Sequence, residues 1–93
     1  MSIKSFHCKD TQRLFDRSSV RRFAVIESVA RRKLQKLRAA ASLDFLRVPT
    51  GNRLELLKGA RAGQYSIRIN DQFRICFRCS GQDAEDVEIA DCR

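Results

Sequence analysis

From Gln64 to Cys79 the chain alternates. Tyr65, Ile67 and Ile69 interleave with Gln64, Ser66 and Arg68; after Asn70-Asp71-Gln72, Phe73, Ile75, Phe77 and Cys79 interleave with Arg74, Cys76 and Arg78. A period of two marks a strand with one buried face, so 64–69 and 73–79 predict a hairpin. Its register follows from keeping the faces unmixed. A three-residue loop pairs Ile69 with Phe73, Ile67 with Ile75 and Tyr65 with Phe77; a two-residue loop would set Ile67 against Arg74. The favoured register also places Arg68 opposite Arg74. Two guanidinium groups across a ladder repel by a few tenths of a kcal/mol or more. An anion between them, or a carboxylate such as Asp91, would relieve that cost.

The other elements are read around this hairpin. Ser2–Cys8 is a short candidate strand, and Asp10 predicts a cap for a helix reaching Phe15. From Val20 to Ala41, Phe23, Ile26, Ala30, Leu34, Leu37 and Ala41 recur at helical spacing, with Arg21, Arg22, Arg31, Arg32, Lys33, Lys36 and Arg38 on the other faces. This is an amphipathic helix with Ser19 as its candidate cap. Residues 40–48 predict a helical turn that buries Leu43 and Leu46, and Pro49-Thr50-Gly51-Asn52 a turn. Arg53–Leu56 reads as a strand, Lys58–Gly63 as a loop and Asp86–Cys92 as a last strand. The expected class is α+β: an N-terminal strand and two helices packed on a twisted antiparallel sheet of about four strands.

Composition narrows the picture. Ninety-three residues, 43% apolar and 32% charged, predict one domain over 1–93, with room for a surface site and none for an interdomain cleft. Nineteen basic and 11 acidic residues give +8, pointing to a polyanion partner such as nucleic acid, or to a solvated basic surface. No run approaches the ~20 apolar residues of a membrane helix and no leader pattern opens the chain, so a cytoplasmic protein is expected. There the four cysteines stay reduced. Cys76 and Cys79, three apart on a strand, point to opposite faces and read as structural thiols; no metal site is expected.

Clustered cations on a strand face suit phosphodiester chemistry. Cleavage of RNA by its own 2′-hydroxyl needs a base, an acid and cations for charge developing on phosphorus. A single histidine, His7, excludes a paired-histidine arrangement. Arg68 and Arg74 take the charge-stabilising role, because a guanidinium grips phosphate oxygens in a fork. Lys58, Glu55 and Asp91 are the candidate proton carriers, with Arg53, Arg61, Arg78 and Arg93 as further RNA-binding cations. On spacing alone, each has a plainer reading as well: a rim carboxylate, a loop charge or a neutralising partner. A binding role then competes with a catalytic one.

The run PTGNRLE (49–55), Leu57, Gly59, Arg61, GQYSIRIN (63–70) and QFR (72–74), with VEIAD (87–91), resembles the HigB branch of the RelE/ParE toxin superfamily across nearly the whole chain. The resemblance implies a type II toxin: a ribosome-dependent mRNA endonuclease, needing neither metal nor organic cofactor, that arrests translation and growth. It implies a HigA-like helix-turn-helix antitoxin, and operator DNA bound through the antitoxin complex. Matched by position, the active-surface residues are Glu55, Lys58, Arg61, Arg68, Arg74 and Asp91. One departure stands out: relatives commonly end Asp-Tyr-His, and this chain ends Asp91-Cys92-Arg93. A base-stacking tyrosine and a proton-carrying histidine are missing, which predicts reduced activity. The alternatives are a non-catalytic toxin-fold module that binds antitoxin, operator DNA or ribosomal RNA, and a ParE-like gyrase inhibitor.

Overall fold

The hairpin forms in the expected register. A computed structural model describes residues 2–47 and 53–91. In it, β3 (Gln64–Arg68) and β4 (Phe73–Ser80) pair Tyr65 with Phe77, Ile67 with Ile75 and Arg68 with Arg74. The turn closes on Asn70, whose Oδ1 accepts the N–H groups of Gln72 (2.8 Å) and Phe73 (2.7 Å). Such a local side-chain turn is what asparagine favours.

Around the hairpin the sheet exceeds the expectation. β2 (Glu55–Leu56) joins β3, β5 (Asp83–Asp91) joins β4, and β1 (Ser2–Ile3) lies parallel to β5, giving five strands in the order β1-β5-β4-β3-β2. The sheet is therefore mixed, with one parallel edge. The weak alternation of the N-terminal segment holds no information about a partner some 80 positions away. β5 also begins three residues earlier than expected, because Gly81 (φ 62°) lets the chain reverse tightly. Cys76 opposes Glu88 and Arg78 opposes Glu85, so between these pairs two residues of β5, Asp86 and Val87, face one of β4, Phe77. Asp86, at φ 53°, absorbs the extra residue as a bulge. The N-terminal segment satisfies that bulge, with Ser5 Oγ accepting the Asp86 N–H at 2.9 Å and Ser5 O accepting the Val87 N–H at 3.1 Å.

The expected single helix over 20–41 is two pieces. A 3₁₀ segment, Arg21–Ile26, leads into α2 (Glu27–Ala39). Phe23 and Ile26 are both buried, and three residues per turn puts positions i and i+3 on one side, where an α-helix would skew them. From Ile26 the buried positions step to Ala30, Leu34 and Leu37 at α-helical spacing. α1 (Lys9–Phe15) begins before Asp10, which lies in the first turn 3.6 Å from Arg22 instead of capping the helix; Ser19 likewise caps nothing, as Val20 holds that position. The turn expected at 49–52 lies outside the described residues.

Both helices cover one face of the sheet. Leu14, Phe23, Leu34 and Leu37 meet Ile67, Ile75, Phe77, Val87 and Ile89, all essentially inaccessible to water. Each such side chain contributes about 1.5–3 kcal/mol of transfer free energy. Thr11 Oγ1 accepts the buried Ile89 N–H at 2.9 Å, tying α1 to β5. The other face of the sheet is left for chemistry.

Candidate functional site

The helix-free face is laid out in transverse rows by the pairing. One row runs Glu55, Ser66, Cys76, Glu88 across β2, β3, β4 and β5. On one side of it lie Arg68, Arg74 and Ala90; on the other, Gln64 and Arg78. The middle of the first row is a floor of small side chains, with Ser66 0% and Cys76 1% exposed. Longer side chains from the flanking rows close over it. Arg74 reaches back across β3, donating from Nη1 to Glu55 Oε2 (2.9 Å) with Ser66 Oγ at 3.4 Å. From the 3₁₀ turn Gly59–Arg61, Arg61 reaches the other way, donating from Nη1 to Glu88 Oε1 (2.5 Å) and to Gln64 Oε1 (3.2 Å).

These placements resolve the expected repulsion of the arginine pair. Arg68 binds Asp71 in its own hairpin loop and Arg74 binds Glu55, so each guanidinium holds a separate carboxylate. Asp91 is not the neutralising group between them. It pairs across the ladder with Phe73, whose ring meets Phe23 on the helix-covered side, and it accepts from Gln72 Nε2 at 3.1 Å; Arg74 faces Ala90. Alternation therefore separates Asp91 from the arginine face. Lys58 is exposed at the entrance to the turn that carries Arg61, and Arg53 is exposed just ahead of β2. Arg78 lies 3.6 Å from Asp86 and close over Gly63, where an added Cβ would be 3.2 Å from its Nη1. Arg93 lies outside the described residues. Glu55, Arg61, Arg68, Arg74 and Arg78 thus share one face, with Lys58 at its rim.

Sequence reasoning missed Glu88 and the floor formed by Ser66 and Cys76. The alternation had already turned Ser66 and Cys76 outward; carried one strand further, it would have added Glu88. Glu55 and Glu88 are three ladder steps apart, about 14–15 Å, too far to share a proton. Among the described residues, no three His, Cys, Asp or Glu side chains gather as a metal site. Cys76 belongs to the site floor, and Cys79 packs against the core on the other side.

Folding also redistributes the charge. The acidic end of the chain returns as β5 beside the arginine-bearing β4, so residues 53–91 hold six basic and seven acidic side chains. Residues 9–39 hold ten basic and three acidic, +7 of the total +8. The net cationic character lies in the helical layer, and the sheet face is a set of paired charges. Not every helical cation is a free surface charge. Arg31 binds the carbonyls of Leu14 and Ser18, each at 2.9 Å, together with Glu27. Partial burial pushes the Lys33 ammonium below its ordinary pKa, reinforced by Lys36, Arg32 and Arg68, so the helical cations are felt at the sheet.

The family model of the RelE-like toxin HigB, from type II toxin–antitoxin systems, matches residues 4–91. The chain belongs to the HigB-like toxin family. Toxin HigB-1 of Vibrio cholerae serotype O1 is 47% identical over 53 residues, 57% of this chain and 56% of its own length. An uncharacterized protein of Haemophilus influenzae is 34% identical over 59 residues, 63% of this chain and 58% of its own. The chain thus spans somewhat over half the length of these curated relatives. No helix among the described residues is long and apolar enough to cross a membrane.

Proposed function

We propose that this HigB-family chain is a metal-independent mRNA endonuclease that acts on the ribosome and is neutralised by a HigA-like helix-turn-helix antitoxin. Through that antitoxin the complex would contact operator DNA, and the toxin would work in the cytoplasm. One observation carries the reading. Arg68 and Arg74 stand on adjacent strands of the helix-free face, with Glu55 2.9 Å from Arg74 and Arg61 reaching over the same floor. A phosphodiester laid on Ser66 and Cys76 would exchange the carboxylate partners of Arg68 and Arg74 for its own oxygens. Their forks would then meet charge as it builds on phosphorus during attack by the 2′-hydroxyl. Glu55, released from Arg74 and one ladder step from Ser66, takes the base role; Lys58 at the rim serves the leaving oxygen or the adjacent phosphate. Asp91, on the opposite side of the sheet, orders the β4–β5 end through Gln72. Arg53 and Arg78 extend the phosphate track, and Arg93 is a further RNA-binding cation.

The test is transcript mapping after brief expression. New 5′ ends within translated messages, present with wild type and absent when antitoxin is co-expressed, are the expected result. Growth arrest without new 5′ ends would instead establish a binding module, the reading favoured by the full carboxylate pairing of these arginines.

A further inference from the structure

Arg61 is carried by a turn, unlike the strand-borne Arg68, Arg74 and Arg78, and its setting differs from theirs. Its partner Glu88 is 16% exposed, against 49% for Glu55, 48% for Asp86 and 96% for Asp71. The bridge, 2.5 Å long, starts ahead of β3 and ends on β5, so it crosses β4 in the row of Cys76. Gln64 Oε1 takes a second hydrogen bond from the same nitrogen at 3.2 Å. Gly59 and Gly63, at φ 68° and 88°, shape the turn that brings Arg61 there. An arginine on such a turn has many rotamers. Two acceptors on two different strands select one of them, and the selected one lies across the floor.

We propose that Glu88 is a positioning residue: it holds the Arg61 guanidinium extended over the floor, aimed at the phosphate that Arg68 and Arg74 approach from the other side. The inference rests on the nuclease reading above. Glu88 itself does not touch substrate. Its effect is to order Arg61 before RNA arrives, so that the fork is not searching for its place while charge develops. A second consequence separates positioning from simple attraction. Glu88 cancels one positive charge in the site, so removing it strengthens non-specific attraction to RNA while disordering the arginine.

The experiment measures cleavage of ribosome-bound mRNA by the full chain and by E88A, E88Q, R61A and R61A/E88A, with folding followed by thermal melts. For E88A, kcat falls about ten-fold while KM stays level or drops. E88Q, which still offers an oxygen to Arg61, recovers most of the rate. In the R61A background the further E88A change leaves kcat unaltered. If E88A slows wild type and R61A equally, if E88Q is as slow as E88A, or if the loss lies wholly in KM, the inference is overturned and the nuclease reading stands. If wild type itself makes no cuts, both fall.

Discussion

Arg74→Ala separates catalysis from architecture by magnitude. Structurally, the substitution removes a 2.9 Å ion pair to Glu55 and a 3.4 Å approach to Ser66. Arg74 is 29% exposed and Glu55 49%, so the pair is screened by water and contributes about 0.2–1 kcal/mol. At about 4–8 °C per kcal/mol for a domain of this size, loss of that pair lowers the melting temperature by no more than about 8 °C. Catalytically, Arg74 is one preorganised donor to a developing phosphorane charge, and losing such a donor costs about 3–4 kcal/mol, or 10²–10³ in rate. The two losses differ several-fold in energy, so one variant measured two ways decides between them. The assays are single-turnover cleavage of ribosome-programmed mRNA and a thermal melt on the same preparation. Arg74→Lys keeps the charge and loses the fork, and falls between wild type and alanine. A variant that melts a few degrees lower yet cuts at the wild-type rate would refute the arginine-pair mechanism.

Other outcomes follow from single contacts. Thr11→Val leaves the buried Ile89 N–H without its acceptor; the expected cost is about 1–3 kcal/mol, read from the urea midpoint. Gly63→Ala forces a side chain onto a backbone at φ 88°, with its Cβ 3.2 Å from Arg78 Nη1. It should lower stability by about 1–2 kcal/mol and displace Arg78. Lys33 has a pKa lowered in the folded state, so its charge costs stability at neutral pH. That cost is relieved as pH rises through the folded value toward the unfolded value of 10.5. Lys33→Met is therefore expected to be more stable than wild type at pH 7 and to lose part of the alkaline rise in stability, measured by urea unfolding across that range.

Part of the site was legible because strand geometry is local. Alternation alone assigns Tyr65, Ile67 and Ile69 to one side and Ser66 and Arg68 to the other, and a hairpin loop of three residues leaves one unmixed register. The arginine pair at 68 and 74 follows from nothing more. Asp91 was offered as a neutralising carboxylate and a proton carrier, and again by positional matching; counting outward from Ile89, buried in the core, would have turned it away. The 3₁₀ start of the helical segment was hidden because Phe23, Ile26, Ala30 and Leu34 satisfy an α-helical count almost as well as the mixed one.

Residue order by itself determined the two faces of the hairpin, its register and the apolar stripe of α2, since each depends on neighbours within a few positions. Tertiary structure decided the parallel edge between β1 and β5, the bulge at Asp86, and which acid each arginine holds. Arg61 and Glu88 are 27 positions apart, and Arg74 and Glu55 are 19 apart. No local period relates such residues. Only the side-by-side packing of four strands brings the acidic end of the chain against its arginines, leaving the site balanced in charge and the helical layer with nearly all of the excess.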